Sequence, residues 1–118
     1  MKRELTQQLV AWKKSPNRKP LILKGVRQCG KTYLLKEFGR MYYDSFVYIN
    51  FEETESLKSV FERDYDTSRI LFELGLFAGK TIVPEKTLLI LDEIQECGRA
   101  LTAMKYFCEN APAYHIVC

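Results

Sequence analysis

Apolar positions along the chain switch between short continuous runs and helical spacing, and that switching outlines the fold. Leu5, Leu9 and Trp12 recur at the period of a helix, so residues 1–15 are predicted as an amphipathic helix ended by Pro16 and Asn17. Between Pro20 and Gly25 the run Leu21-Ile22-Leu23 is short and wholly apolar, as a buried parallel strand would be. From Lys31 onward Leu34, Leu35, Phe38, Met41 and Tyr42 return to helical spacing. Phe46 to Phe51 (FVYINF), rich in aromatic and β-branched residues, reads as a second strand. Two helical patterns follow, one on Leu57, Val60 and Phe61 and one on Ile70, Leu71, Leu74 and Phe77, which Gly79 closes. Beyond Pro84, Leu88 to Leu91 form a third strand running into Asp92 and Glu93. A helix carrying Leu101, Met104 and Cys108 then stops before Pro112, and Tyr114 to Cys118 read as a fourth strand.

Strands that alternate with helices predict an α/β fold, a parallel sheet covered by helices on both faces in three αβα layers. The expected organisation is one domain over 1–118, an amino-terminal helix at 1–15 followed by βα units over 20–118. No repeat, low-complexity tract or linker interrupts it. The sequence stops inside an apolar strand with no cap or polar tail, which predicts the amino-terminal portion of a longer protein.

Composition narrows the class. Of 118 residues 47% are hydrophobic and 28% charged, which excludes a disordered tail, a collagen-like fibre and a disulfide-dense miniprotein. No run approaches the length of a membrane-spanning helix and no export signal opens the chain, so no membrane partner and a cytoplasmic location are expected. Cys29, Cys97, Cys108 and Cys118 show no C-x-x-C spacing and His115 is the only histidine, which argues against zinc and for reduced thiols.

The net charge of +3 conceals an asymmetry: residues 1–40 hold 11 Lys plus Arg against 2 acids, whereas residues 41–118 hold 7 against 13. A basic amino-terminal third can face a nucleic acid, an acidic protein partner or ligand phosphates, or be a solvated helix surface.

One motif accounts for part of this excess. Gly25-Val26-Arg27-Gln28-Cys29-Gly30-Lys31-Thr32 satisfies G-x-x-x-x-G-K-[ST], between a predicted strand and a predicted helix. Gly25 and Gly30 let the backbone turn closely around an anion, so that amides from Val26 to Thr32 form a concave nest for phosphate oxygens. Lys31 supplies a mobile positive charge to the β- and γ-phosphates, the Thr32 hydroxyl is a hard ligand for Mg²⁺, and Tyr33 completes the candidate cofactor-binding stretch. Farther on, LLILDE presents two acids at the carboxyl end of a strand. Alone these are two ordinary carboxylates at a helix start. Beside a phosphate loop, Asp92 suits Mg²⁺ and Glu93 suits a general base for the attacking water, because parallel strands present their carboxyl ends to one crevice.

GVRQCGKT after LILK, with LLILDEIQ downstream, resembles the AAA+ branch of P-loop ATPases, and within it a bacterial and archaeal group that reads G-x-R-Q-x-G-K-T and L-D-E-[IA]-Q and carries a separate carboxy-terminal domain. The resemblance spans the chain from the Trp12 helix to Tyr114. It implies a P-loop NTPase fold, ATP and Mg²⁺ as ligands, and Gly25, Gly30, Lys31, Thr32, Asp92 and Glu93 as site residues; Gln95 also matches the pattern. It also implies a sensor, a fifth strand, a lid and an arginine finger, all beyond Cys118, so that the 118-residue chain is expected to bind nucleotide better than it hydrolyses it, with homo-oligomers belonging to the full-length form.

The expected function is Mg²⁺-dependent ATP hydrolysis. The alternative is an ATP-gated module that binds nucleic acid or a protein client with little hydrolysis, and a kinase is a third option. Other residues stay open at this stage: Trp12 for adenine stacking or packing, Cys29 as a redox-sensitive thiol within the loop, Arg27 and Arg99 for phosphates or solvent, and Asn50, Glu52 and Glu53 as a border of the crevice. His115 is expected in the core or at the sheet edge.

Overall fold

The computed structural model describes residues 2–15, 20–21 and 29–118. Among the described residues five α-helices and three strands follow one another as α1 (Lys2–Lys14), α2 (Cys29–Tyr42), β1 (Ser45–Asn50), α3 (Lys58–Glu62), α4 (Thr67–Ala78), β2 (Thr87–Asp92), α5 (Gly98–Asn110) and β3 (His115–Val117). The strands pair in parallel in the order β1-β2-β3, with Phe46 opposite Leu88, Asn50 opposite Asp92 and Leu89 opposite Ile116. Leu21 adds a parallel bridge to Val117 on the free side of β3. There its N–H donates to Ile116 O and its carbonyl accepts from Cys118 N–H. Of the strand expected at Leu21–Leu23, Leu21 forms this isolated bridge; Ile22 and Leu23 lie outside the described residues.

Side-chain alternation assigns the two faces of the sheet. Leu88, Ile90 and Val117 point to one side and are buried with Leu9 of α1, Leu35 and Phe38 of α2, and Tyr43. Leu89, Leu91, Ile116, Val47 and Ile49 point to the other, against α3, α4 and α5. All six residues of β2 are buried, the pattern of a central strand covered on both faces. Each fully buried Leu or Ile there contributes about 1.5–3 kcal/mol of transfer free energy. The three αβα layers expected from the alternation of elements are present.

Local rules explain the element ends. Gly79 closes α4 in the left-handed conformation (φ +70°), with its N–H on the last turn. Asp66 caps the start of α4 by accepting from Ser68 and Arg69 N–H. Gly39 permits the close approach of α2 to β1: a Cβ there would lie 2.8 Å from Phe46 Cβ. The segment predicted as a helix around Leu57 and Phe61 is a 3₁₀ turn at Glu55–Leu57 leading into the short α3.

Several positions of the predicted apolar stripes face outward instead. Met41, Phe77 and Leu101 are 70%, 51% and 43% exposed, while Leu34 and Leu35 in α2 and Ala100, Ala103 and Phe107 in α5 are buried. A stripe read at a period of 3.6 tolerates an extra apolar residue at either margin, and only the packed sheet decides which margin is covered. Among the described residues no helix is long and apolar enough to cross a membrane.

Candidate functional site

Asp92 ends β2 two residues beyond Ile90, so pleat alternation turns its side chain to the α2 face. α2 runs back along that face, and its 14 residues span about 21 Å, enough to cross six strand residues of about 20 Å. Its first turn thereby reaches the carboxyl end of β2. Thr32 Oγ1 donates to Asp92 Oδ2 at 2.8 Å, across 60 residues of sequence.

Asp92 is only 5% exposed. A buried carboxylate is tolerated only when donors replace its water. Three do so here. Oδ2 accepts from Thr32 and from the Tyr48 hydroxyl at 2.7 Å, and Oδ1 accepts from Glu93 N–H at 2.9 Å. Tyr48 comes from β1, on the same face as Asp92, and its hydroxyl accepts in turn from Asn50 Nδ2 at 3.2 Å. Asn50 Oδ1 meanwhile receives the N–H groups of Glu52 and Glu53, so one amide ties the turn after β1 to the same network. Lys36 Nζ stands 4.1 Å from the Tyr48 ring centroid, over its face. Burial, reinforced by the neighbouring Asp92 carboxylate, pushes the Tyr48 hydroxyl up to about 12, which keeps it a hydrogen-bond donor at neutral pH.

The strand stops abruptly after Asp92. Glu93 adopts left-handed backbone angles (φ 54°, ψ 43°), a conformation that a non-glycine residue rarely takes and that is costly without support. Gln95 Nε2 donates to Glu93 Oε1. Gln95, matched to a family pattern but without a role from sequence, thus contacts the acid expected to act as base.

Of the sequence-predicted loop residues, Gly25, Val26, Arg27 and Gln28 lie outside the described residues. Cys29, Gly30 and Lys31 form the first turn of α2, described through their helical backbone. Tyr33 sits on the outer side of α2, 55% exposed, with its hydroxyl donating to Glu37.

The residues left open resolve individually. Trp12 packs edge-on against His115, with ring centroids 5.7 Å apart. His115 pairs with Leu88, four residues before Asp92 and so about 13 Å along the strand from it. Trp12 therefore serves packing at the opposite end of the sheet and is not placed to stack on a base beside Asp92. His115 is a buried core residue whose Nδ1 bonds the Tyr43 hydroxyl. Arg99 is exposed, and its Nε donates to Phe61 O at 2.8 Å while its guanidinium lies 5.0 Å from the Tyr65 ring centroid. Asn50 does border the site through Tyr48, whereas Glu52 and Glu53 are exposed and contribute their backbone. The residue that sequence reasoning missed is Tyr48. Its place in FVYINF, two before Asn50, marks its face but not its neighbour on β2.

No match was found among curated proteins or among solved structures. A family model described as AAA domain matches residues 17–118, the whole of the chain from just after α1 to its last residue. With three parallel strands between helical layers and the match extending across both motifs, the chain belongs to the AAA domain family, whose members are P-loop nucleotide-binding proteins of the ATPase type.

Proposed function

We propose that the chain binds ATP with Mg²⁺ and that this site hydrolyses the β–γ phosphate bond. The observation that carries the proposal is the Thr32–Asp92 hydrogen bond, which joins the end of one motif to the start of the other. In this reading the backbone amides from Gly25 to Tyr33 bind the phosphate oxygens and Lys31 contacts the β- and γ-phosphates. Thr32 and Asp92 would hold Mg²⁺, the hydroxyl as a hard oxygen donor and the carboxylate through water. The cation supplies charge neutralisation of the phosphates when bound. Glu93 orients the attacking water and accepts its proton as the water oxygen bonds the γ-phosphorus and ADP leaves. The left-handed backbone at Glu93, a conformation rare for a non-glycine residue, is consistent with a constrained functional position.

The sequences GVRQCGKT and LDEIQ support membership of the bacterial and archaeal group with a separate carboxy-terminal domain. Lys31→Ala tests the core of the proposal. Titration calorimetry is expected to show tight ATP binding by the parent chain and its loss in the variant, and equal affinities would refute the assignment.

A further inference from the structure

We propose that Tyr48 is a positioning residue for Mg²⁺·nucleotide: its hydroxyl holds the Asp92 carboxylate in the orientation that commits the Thr32 proton to Asp92 and turns the Thr32 lone pairs toward the cation. This inference rests on the nucleotide reading of the site. A carboxylate at the end of a strand can swing about its last torsion, a broad and roughly two-fold rotor. Here the plane is pinned at both oxygens, Oδ1 by Glu93 N–H and Oδ2 by Tyr48 and Thr32 together. The direction of the chain is set as well. Asn50 Nδ2 can only donate, so the Tyr48 oxygen accepts from it and its proton is left for Asp92. Donors in series of this kind polarise one another in a part-buried site. Lys36 over the ring and the packing of Tyr48 against the α2-side core hold the phenol in place.

A Thr32 hydroxyl that gives its only proton to Asp92 has only lone pairs left to offer. That is the state a hard cation requires. Tyr48→Phe keeps the ring and withdraws the second donor from Oδ2, leaving the carboxylate freer to turn away from Thr32. The change removes none of the groups proposed to bind phosphate, so the effect is expected in the metal-dependent part of the affinity.

The test is ATP binding by the 118-residue chain, measured by calorimetry with Mg²⁺ and again with a chelator, the readout being the ratio of the two affinities. Tyr48→Phe is expected to cut that ratio by about tenfold, the lower end of what one hydrogen bond to a charged acceptor is worth, with the chelator affinity unchanged. Asp92→Asn is expected to cut it further, and the double variant no further than Asp92→Asn alone, because a donor that acts through Asp92 has nothing to hold once the charge is gone. A Tyr48→Phe ratio equal to the parent's, or losses that simply add in the double variant, would overturn the inference. Should Tyr48→Phe fail to fold, Asn50→Ala, which withdraws the donor to the Tyr48 hydroxyl, decides in its place: a lowered ratio supports the inference and an unchanged one overturns it. A parent chain that binds ATP no more tightly with Mg²⁺ would instead overturn the nucleotide reading itself, and this inference with it.

Discussion

The hydroxyl of Thr32 donates to Oδ2 of Asp92 at 2.8 Å although 60 residues separate them in the chain. One side chain opens a helix and the other closes a strand, and the contact forms because α2 is long enough to return across the sheet to the carboxyl end of β2. The bond satisfies a buried carboxylate and leaves a hydroxyl oxygen available to a cation. Thr32→Ala is therefore expected to cost about 1–3 kcal/mol of stability through the lost donor. The same variant is expected to abolish the gain in ATP affinity that Mg²⁺ brings. Thr32→Ser, which keeps the oxygen, is expected to retain both. Thermal unfolding and calorimetry with and without Mg²⁺ check the two effects separately.

Glu93 combines an acid side chain with left-handed backbone angles. Glu93→Gln is expected to keep ATP binding and to lower turnover by about 10²–10⁴-fold, the usual worth of a positioned base. Glu93→Gly is expected to lose turnover as well but to gain about 1 kcal/mol of stability, since glycine adopts φ 54° without a Cβ clash. A glycine variant less stable than Glu93→Gln would show that the backbone there is not strained.

Gly39 lies where α2 meets β1, and an added Cβ would stand 2.8 Å from Phe46 Cβ. The neighbour is the root of a side chain fixed in a strand, so α2 would have to move away. Gly39→Ala is expected to destabilise by about 1–3 kcal/mol, read as a lowered midpoint of urea unfolding.

Asp64 is exposed, and the Asp66 N–H, followed by the Arg69 guanidinium, holds its carboxyl below the ordinary value of 3.8. A carboxyl depressed in the folded state contributes stability above its unfolded pKa and loses it as pH falls through the folded value. Acid destabilisation at this point is accordingly expected below about pH 4, and Asp64→Asn is expected to be less stable than the parent at pH 7 while showing a shallower acid slope. Unfolding midpoints measured from pH 7 down to pH 2 would reveal it, and parallel curves for the two chains would exclude it.

Much of the fold was legible because its signals are local. The apolar run Leu88–Leu91 could only be a strand buried on both sides, and Gly79 could be read as a helix stop because a left-handed residue is most cheaply a glycine. The outward turn of Leu101 and Phe77 was not legible, because a helix with a wide apolar stripe does not specify which margin its neighbours cover. The bond from Arg99 to Phe61 O was not legible either, because an exposed arginine with that bond and one without it have identical sequence signatures.

The candidate site divides along the same line. The sequence by itself determined the residue types the chemistry needs, Gly25 to Thr32 at one place and Asp92 with Glu93 at another, because spacing within a loop or along a strand is a property of adjacent residues. It also determined that Asp92 and Ile90 share a face, through the two-residue period of a strand. What only the tertiary structure decided is which strand lies beside β2 and in what register. That pairing sets Asn50 opposite Asp92 and brings the Tyr48 hydroxyl onto the carboxylate, a choice made by the packing of both sheet faces rather than by any pattern within FVYINF.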